Sequence, residues 1–375
     1  MSEKFSLKDH LFNAVKVAQL AAEIQHVYPM FNATAFQEDV ISEFPKLELK
    51  ARIAHIRQQL RTYLPSDYQT AVNIILQALP EPLDETRTDD DFGDFIYAPY
   101  SDFVAHYGCN AENLTFSLAA LHAITQRFSA EYAIRFFLNA FPEETLNTLW
   151  TWTDDPHYHV RRLCSEGTRP KLPWGQKIGI APRQALPLLH RLFADPTRFV
   201  TRSVANHLND LSKTHPDEVL KILQQWADRA KQTPSEMAFI RKHALRTLIK
   251  AGHPQALALL GFGNATGLTL TDLQFNTSVR MDEALSFSFS ITTQISKPLV
   301  LDYIVYFQSK QGTLSNKKTY KLQSVTLAEA ETLHVQKTHL FRRNMTTRTL
   351  YAGEHRIAIQ VNGRILGSFS FELFD

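Results

Sequence analysis

The chain has 375 residues, of which 44% are apolar, and carries 40 Lys and Arg against 38 Asp and Glu, a formal net charge of +2. That length allows roughly two to three domains with ample core, and two cysteines, Cys109 and Cys164, exclude a disulfide framework or a Cys-rich zinc module. The N-terminal run MSEKFSLKDH mixes acidic and basic residues without the apolar core of a signal peptide, and no uncharged apolar run reaches the ~18 residues that span a bilayer, so a cytoplasmic globular protein is expected.

From Leu7 to about Gly261 apolar residues recur at helical spacing, as in Leu20 and Ile24, then Ile75 and Leu79. Breaks fall at Pro45, Pro65, Pro80-Glu81-Pro82, the acidic stretch Thr88-Asp89-Asp90-Asp91, Asp155-Pro156, Asp195-Pro196 and His253-Pro254. About ten to fourteen short helices are predicted. After Gly261-Phe262-Gly263-Asn264 the pattern changes to alternation. Residues 268–271, 285–291, 299–307, 355–361 and 368–374 read as strands, and Asn362-Gly363 as a hairpin turn. About seven strands without intervening helices fit an immunoglobulin-like β-sandwich. The predicted organisation is an all-α repeat domain over 1–262 followed by an all-β sandwich over 267–375.

The helical part repeats. Val160-Arg161-Arg162, Val200-Thr201-Arg202 and Ile240-Arg241-Lys242 stand 40 residues apart, within the period of HEAT-like helical pairs. Four positions later Cys164, Val204 and Ala244 share the predicted buried face. Asp155-Pro156 and Asp195-Pro196 keep the same spacing and read as helix starts, with the carboxylate as N-cap and Pro at N1.

The same register lines up Arg162, Arg202 and Lys242. Residues 1–155 carry 11 basic and 22 acidic side chains, net −11, whereas residues 156–250 carry 17 and seven, net +10. The neutral total conceals a charge dipole. A basic column on a helical stack suits a polyanion, because each neutralised phosphate releases counterions; the plainer alternative is a solvated helix face. Two acids lie within that column: Glu166 one turn after Arg162, and Asp210 two turns after Arg202 with Asn206 between them. Each can orient a neighbouring arginine, or stabilise positive charge in a ligand or transition state. The loop after Glu166 is braced by Pro170 and Pro173 and carries Trp174, suited either to covering helix ends or to stacking on a base.

The run Arg161–Gly175 (RRLCSEGTRPKLPWG) and the run Arg202–Pro216 (RSVANHLNDLSKTHP) resemble DNA alkylation repair glycosylases of the AlkC/AlkD type, most closely the AlkC branch. The resemblance covers most of residues 1–262, and the terminal sandwich is similar to the immunoglobulin-like extension of some AlkC members. Cys164 replaces an expected Ala, and Lys171 an expected Arg. The resemblance implies a HEAT-like stack that grips double-stranded DNA and hydrolyses the N-glycosidic bond of cationic alkylated bases, such as 3-methyladenine and 3-methylcytosine, without full base flipping.

Carried over position by position, Glu166 is the motif acid, Trp174 the motif tryptophan and Asp210 the acid of the second motif. Glu131 is a third candidate carboxylate, equally explained as a helix N-terminal acid, and Trp152 a second aromatic that could reach the lesion. A cation is already a good leaving group, so the expected task is to stabilise an oxocarbenium-like sugar and position water. Expected DNA contacts are Arg161, Arg162, Arg169, Lys171, Arg202, Asn206, Lys213, Arg241 and Lys242, with Arg342 and Arg343 in a basic loop of the sandwich. No lysine stands out as a Schiff-base nucleophile, so a monofunctional, monomeric glycosylase is expected, acting without cofactor or membrane partner and joining the nucleoid when bound to DNA. His157-Tyr158-His159 lacks the acid or Cys spacing of a zinc site. The alternative is a non-catalytic HEAT-repeat scaffold that binds DNA or protein.

Overall fold

A computed structural model of the chain describes residues 6–87, 89, 92–345 and 348–375. The chain divides into two compact units, one formed by Met1–Leu211 with Trp226–His243, the other by Ser212–Gln225 with Ala244–Asp375.

The first unit is helical, with helices at Leu7–Leu11, Ala14–Val27, Ala33–Glu43, Leu49–Tyr63, Tyr68–Gln77, Ala98–Gly108, Leu114–Thr125, Ile134–Ala140, Pro142–Trp152, Tyr158–Glu166, Leu186–Leu192 and Arg198–Leu211. Local chemistry sets their starts. The side chains of Asn13, Asn32 and Asp67 accept from the amides of Lys16, Ala35 and Thr70 at 3.1, 3.2 and 2.8 Å, satisfying donors that the first turn leaves without partners. Pro142 and, later, Pro216, Pro234 and Pro254 each open a helix, where the missing N–H costs nothing.

The predicted register is present: Val160, Val200 and Ile240 are fully buried, as are Cys164, Val204 and Ala244. Helix Tyr158–Glu166 packs on helix Arg198–Leu211. The Asp-Pro pairs differ from expectation. Asp155 and Asp195 lie before the N-caps and accept from the amides of His157 and Thr197, both at 2.8 Å, so each forms an Asx turn that leads into a helix beginning at Tyr158 or Arg198. No helix among the described residues is long and apolar enough to cross a membrane.

The second unit contains the C-terminal part of the helical region, including helices Arg246–Lys250 and Pro254–Leu259, and eight strands among its described residues: β1 (Leu268–Phe275), β2 (Ser278–Arg280), β3 (Ala284–Thr293), β4 (Lys297–Phe307), β5 (Asn316–Leu327), β6 (Thr332–Leu340), β7 (Gly353–Val361) and β8 (Arg364–Phe374). They form an immunoglobulin-like sandwich of two sheets, ordered β1-β3-β6 and β2-β8-β7-β4-β5. Every ladder is antiparallel except β2 with β8. Alternating residues of β3, β4 and β7, among them Phe287, Phe289, Leu301, Val305, Ile357 and Ile359, close the core between the sheets. Asn362 and Gly363 have φ of +45° and +80°, the left-handed pair a two-residue hairpin requires. That hairpin meets the helical segment of its own unit: a Cβ on Gly252 would fall 2.7 Å from the Gly363 Cα, and Asn362 Nδ2 donates to the Gly263 carbonyl at 2.9 Å.

Candidate active site

Helix Tyr158–Glu166, the loop after it and helix Arg198–Leu211 bring Glu166, Arg169 and Asp210 together in the first unit. Arg169 Nη1 donates to Glu166 Oε1 at 2.5 Å, while its Nε and Nη2 reach Asp210 Oδ2 at 3.0 and 2.9 Å. Ser203 Oγ donates to the other Glu166 oxygen at 2.6 Å. One turn before Glu166, Arg162 Nη2 lies 3.8 Å from Oε1. Arg162 Nη1 donates to Glu131 Oε2 at 3.0 Å and to Ser129 Oγ at 3.1 Å. The result is an alternating chain, Glu131–Arg162–Glu166–Arg169–Asp210, of three carboxylates and two guanidiniums.

Burial makes this chain interdependent, since a buried charge is tolerated only when paired and hydrogen-bonded. Glu166 and Asp210 are 5% and 6% exposed and Arg169 is 8% exposed. Burial by itself would raise the Glu166 carboxyl, but Arg162 and Arg169, with the bonds from Ser203 and Arg169, outweigh it and hold the group below its ordinary value. Burial likewise opposes the Arg169 charge, and the two carboxylates override it, so Arg169 is held above its ordinary value. Nearby His207, fully enclosed, is pushed down to about 4, first by burial and despite its contact with the Ser165 carbonyl. It is a neutral packing group at physiological pH.

The open side of the network lies at Glu131 and Arg162. Both line a cavity of about 290 Å³ together with Phe92, Tyr132, His159 and Phe199. The Arg162 guanidinium stands 4.5 Å from the Phe199 ring centroid, and Phe92 meets Phe199 edge-on at 5.1 Å. Burial, then Glu131 and Glu166, push the Tyr132 phenol up to about 12, so it remains a hydrogen-bond donor.

The loop that bears Trp174 is held by Arg135, which the sequence reading missed. Arg135, on helix Ile134–Ala140, is 1% exposed and donates to the carbonyls of Gln176, Gly167 and Arg169 at 2.6, 2.9 and 2.9 Å. Burial, reinforced by Arg169, pushes its pKa down to about 10. Trp174 has φ +64° and is 57% exposed, and its carbonyl accepts from Lys50 Nζ at 2.5 Å. The only hint of Arg135 in the sequence is a lone arginine between apolar neighbours, Ile134 and Phe136.

The remaining predicted residues are dispersed. Trp152 is half-buried against His122, with ring centroids 5.2 Å apart, in a cavity that shares no residue with the carboxylate network. Arg169, expected among the phosphate contacts, is buried between two acids instead. Arg161 is engaged by Asp195 at 2.6 Å and by the Asp155 and Pro156 carbonyls. Arg202 pairs with Asp89, and Asn206 with His243 at 2.8 Å; Thr88, Asp90 and Asp91 of the acidic stretch lie outside the described residues. Lys171 and Lys242 are exposed and Arg241 half-buried. Lys213, in the second unit, is exposed, as are Arg342 and Arg343 on the sandwich. Arg343 reaches Asp375 at 3.2 Å. Thr346 and Thr347 of that basic loop also lie outside the described residues.

Two family models match the chain: DNA alkylation repair enzyme over residues 124–248, and the C-terminal Ig-like domain of YhaZ over residues 269–375. YhaZ of Bacillus subtilis (strain 168) is 33% identical over 368 residues, covering 97% of this chain and 98% of its own. The solved structure of the Pseudomonas fluorescens alkylpurine DNA glycosylase AlkC, bound to DNA containing an abasic site analog, matches with 32% identity and a TM-score of 0.87, covering 99% of this chain and 100% of that one. Similarity that runs the full length of both chains, through the carboxylate motifs and the sandwich alike, means that this chain belongs to the DNA alkylation repair enzyme family, in the AlkC branch with a C-terminal immunoglobulin-like domain.

Proposed function

We propose that the protein is a monofunctional DNA glycosylase that hydrolyses the N-glycosidic bond of cationic alkylated bases, such as 3-methyladenine and 3-methylcytosine, in duplex DNA. The observation that carries this reading is the alternating charge chain, whose carboxylates outnumber its guanidiniums and whose Glu131 end opens into an aromatic-walled cavity. Kinship with an AlkC solved on abasic-site DNA supports duplex DNA as the partner.

The chemistry follows from the leaving group. A cationic base departs with the electrons of the C1′–N bond and becomes neutral, so it needs no strong acid. The cost lies in the positive charge left on the sugar, and fixed anions lower that cost. Glu166, kept ionised by its arginines, supplies the field; Glu131, at the cavity wall, orients the attacking water; Asp210 fixes Arg169 and through it Glu166. Trp174 stacks at the kinked step, so that the base is reached without full extrusion. The exposed Lys171 and Lys242, with Arg342 and Arg343 of the sandwich, contact backbone phosphates.

Release of methylated base from a methylated duplex tests the reading. The wild type should release base and leave the strand intact, with no adduct trapped by borohydride. A wild type that binds the duplex without releasing base would leave the scaffold reading in its place, and a trapped adduct would remove the monofunctional assignment.

A further inference from the structure

Beside the Glu131 cavity lies a second, half-open cavity of about 270 Å³ in the same unit. The two share Phe95, Phe128, Ser129 and Tyr132, so they are neighbouring chambers with a common wall. The second chamber is built from aromatic faces, Phe95, Phe128, Tyr132, Phe136 and Trp174, and its size lies just below the usual range for drug-sized ligands, which limits it to a small one. Three charged residues stand in this lining: Lys50, which donates to the Trp174 carbonyl, and the pair Arg57 and Asp102. Arg57 Nη1 donates to Asp102 Oδ2 at 3.0 Å, and burial raises the Asp102 carboxyl above its ordinary value despite Arg57. Arg57 Nε is buried with no partner among the described residues. A buried donor left unpaired carries a desolvation cost that a ligand acceptor would relieve.

We propose that this chamber is a receiving site for the free base after excision. The proposal rests on the glycosylase reading, and it adds a binding site that the reaction itself does not require. A purine's amidine edge places a ring-nitrogen acceptor next to an amino donor. The Arg57–Asp102 pair offers the complement, an unpaired N–H beside a carboxylate, and the aromatic walls supply stacking for a flat heterocycle. Because the base leaves as a neutral molecule, an apolar chamber with one donor–acceptor pair suits it better than it suits the cationic lesion. Trp174 lines this chamber and sits on the loop that follows Glu166, so the site of bond cleavage and the receiving site share a wall.

Calorimetric titration of the full-length protein with 3-methyladenine, in the absence of DNA, tests the site. Binding is expected in the micromolar to low-millimolar range, with N6,N6-dimethyladenine, which lacks the amino donor, at least tenfold weaker. Ala54→Phe projects a ring into the chamber from helix Leu49–Tyr63 and should weaken binding at least tenfold. The same variant should relieve inhibition of multiple-turnover base release by added 3-methyladenine while leaving the single-turnover rate unchanged. No binding to the wild type at millimolar ligand, or equal binding of the two adenines, overturns the proposal even when base release from DNA is intact. Binding with the expected selectivity but no base release would support the chamber and overturn the glycosylase reading alone.

Discussion

The candidate site of the helical unit and the interior of the sandwich are held together by opposite means. Around the candidate site the helical unit buries Glu166, Arg169, Asp210, Ser203 and His207 in one connected set. The sandwich encloses Phe287, Phe289, Ile291, Leu301, Val305 and Ile359 between its sheets. An apolar core loses stability in proportion to the atoms removed and the cavity left. A charge chain instead fails by stranding partners: removal of one member leaves an uncompensated buried ion, while removal of all members together can be neutral. The first arrangement secures a fold; the second holds a field in a fixed orientation, which is what a reaction with a developing cation uses.

The largest effects should come from truncating each interior at its centre. Phe289→Ala in the sandwich and Arg169→Ala in the charge chain should each lower stability by about 3–5 kcal/mol in denaturant titrations. The difference lies in rescue. Combining Arg169→Met with Glu166→Gln and Asp210→Asn should recover most of the loss, whereas no polar substitution repairs Phe289→Ala. Failure of the triple variant to recover would mean that packing, rather than charge pairing, holds the site around Arg169.

Next in size, Glu166→Gln should reduce base release about 10²–10³-fold with DNA affinity nearly unchanged, and should lower stability less than Arg169→Ala does, because Arg162 and Arg169 keep Glu131 and Asp210 as partners. A comparable loss of stability would assign Glu166 to the scaffold instead of the field.

Among the few ionisable groups buried in the sandwich is Asp302, which burial pushes up to about 6 although Lys321 and Gln360 oppose the shift. A raised carboxyl contributes stability when protonated; that contribution is present below about pH 4, the unfolded value, and is lost as pH rises through about 6. Asp302→Asn should therefore stabilise the protein at pH 7, by about 1–2 kcal/mol after allowance for partial solvent screening. The gain over wild type should shrink to nothing by about pH 4. A gain independent of pH would refute ionisation as the cause.

The smallest effects concern exposed cations. Arg342→Ala should leave stability and single-turnover chemistry alone and reduce the salt slope of DNA binding by about one. Arg343→Ala should do less, because its guanidinium already meets Asp375. Such point changes are cleaner than deleting the sandwich, since Asn362 and Gly363 pack on the helical segment of their own unit.

Much of the fold was legible. A 40-residue register put six side chains on buried faces, and alternation marked β1, β3, β4, β7 and β8. The strands β2, β5 and β6 passed unnoticed: β2 has three residues, and β5 and β6 are sheet edges with largely exposed residues, which carry little alternation. Motif spacing singled out Glu166, Asp210 and Trp174 as candidates, of which the fold joins the first two through Arg169, and composition separated an acidic first 155 residues from a basic next 95.

Pairing was decided only in three dimensions. Arg162, Arg202 and Arg169 look equivalent in the sequence, yet one meets Glu131, one meets Asp89 and the third lies between two acids. Arg135 and the Arg57–Asp102 pair left no periodic trace at all. Periodicity records which side of an element is removed from water, because that condition acts on every turn. The partner of a charge is set by contacts between residues tens of positions apart, and chain folding alone brings those together.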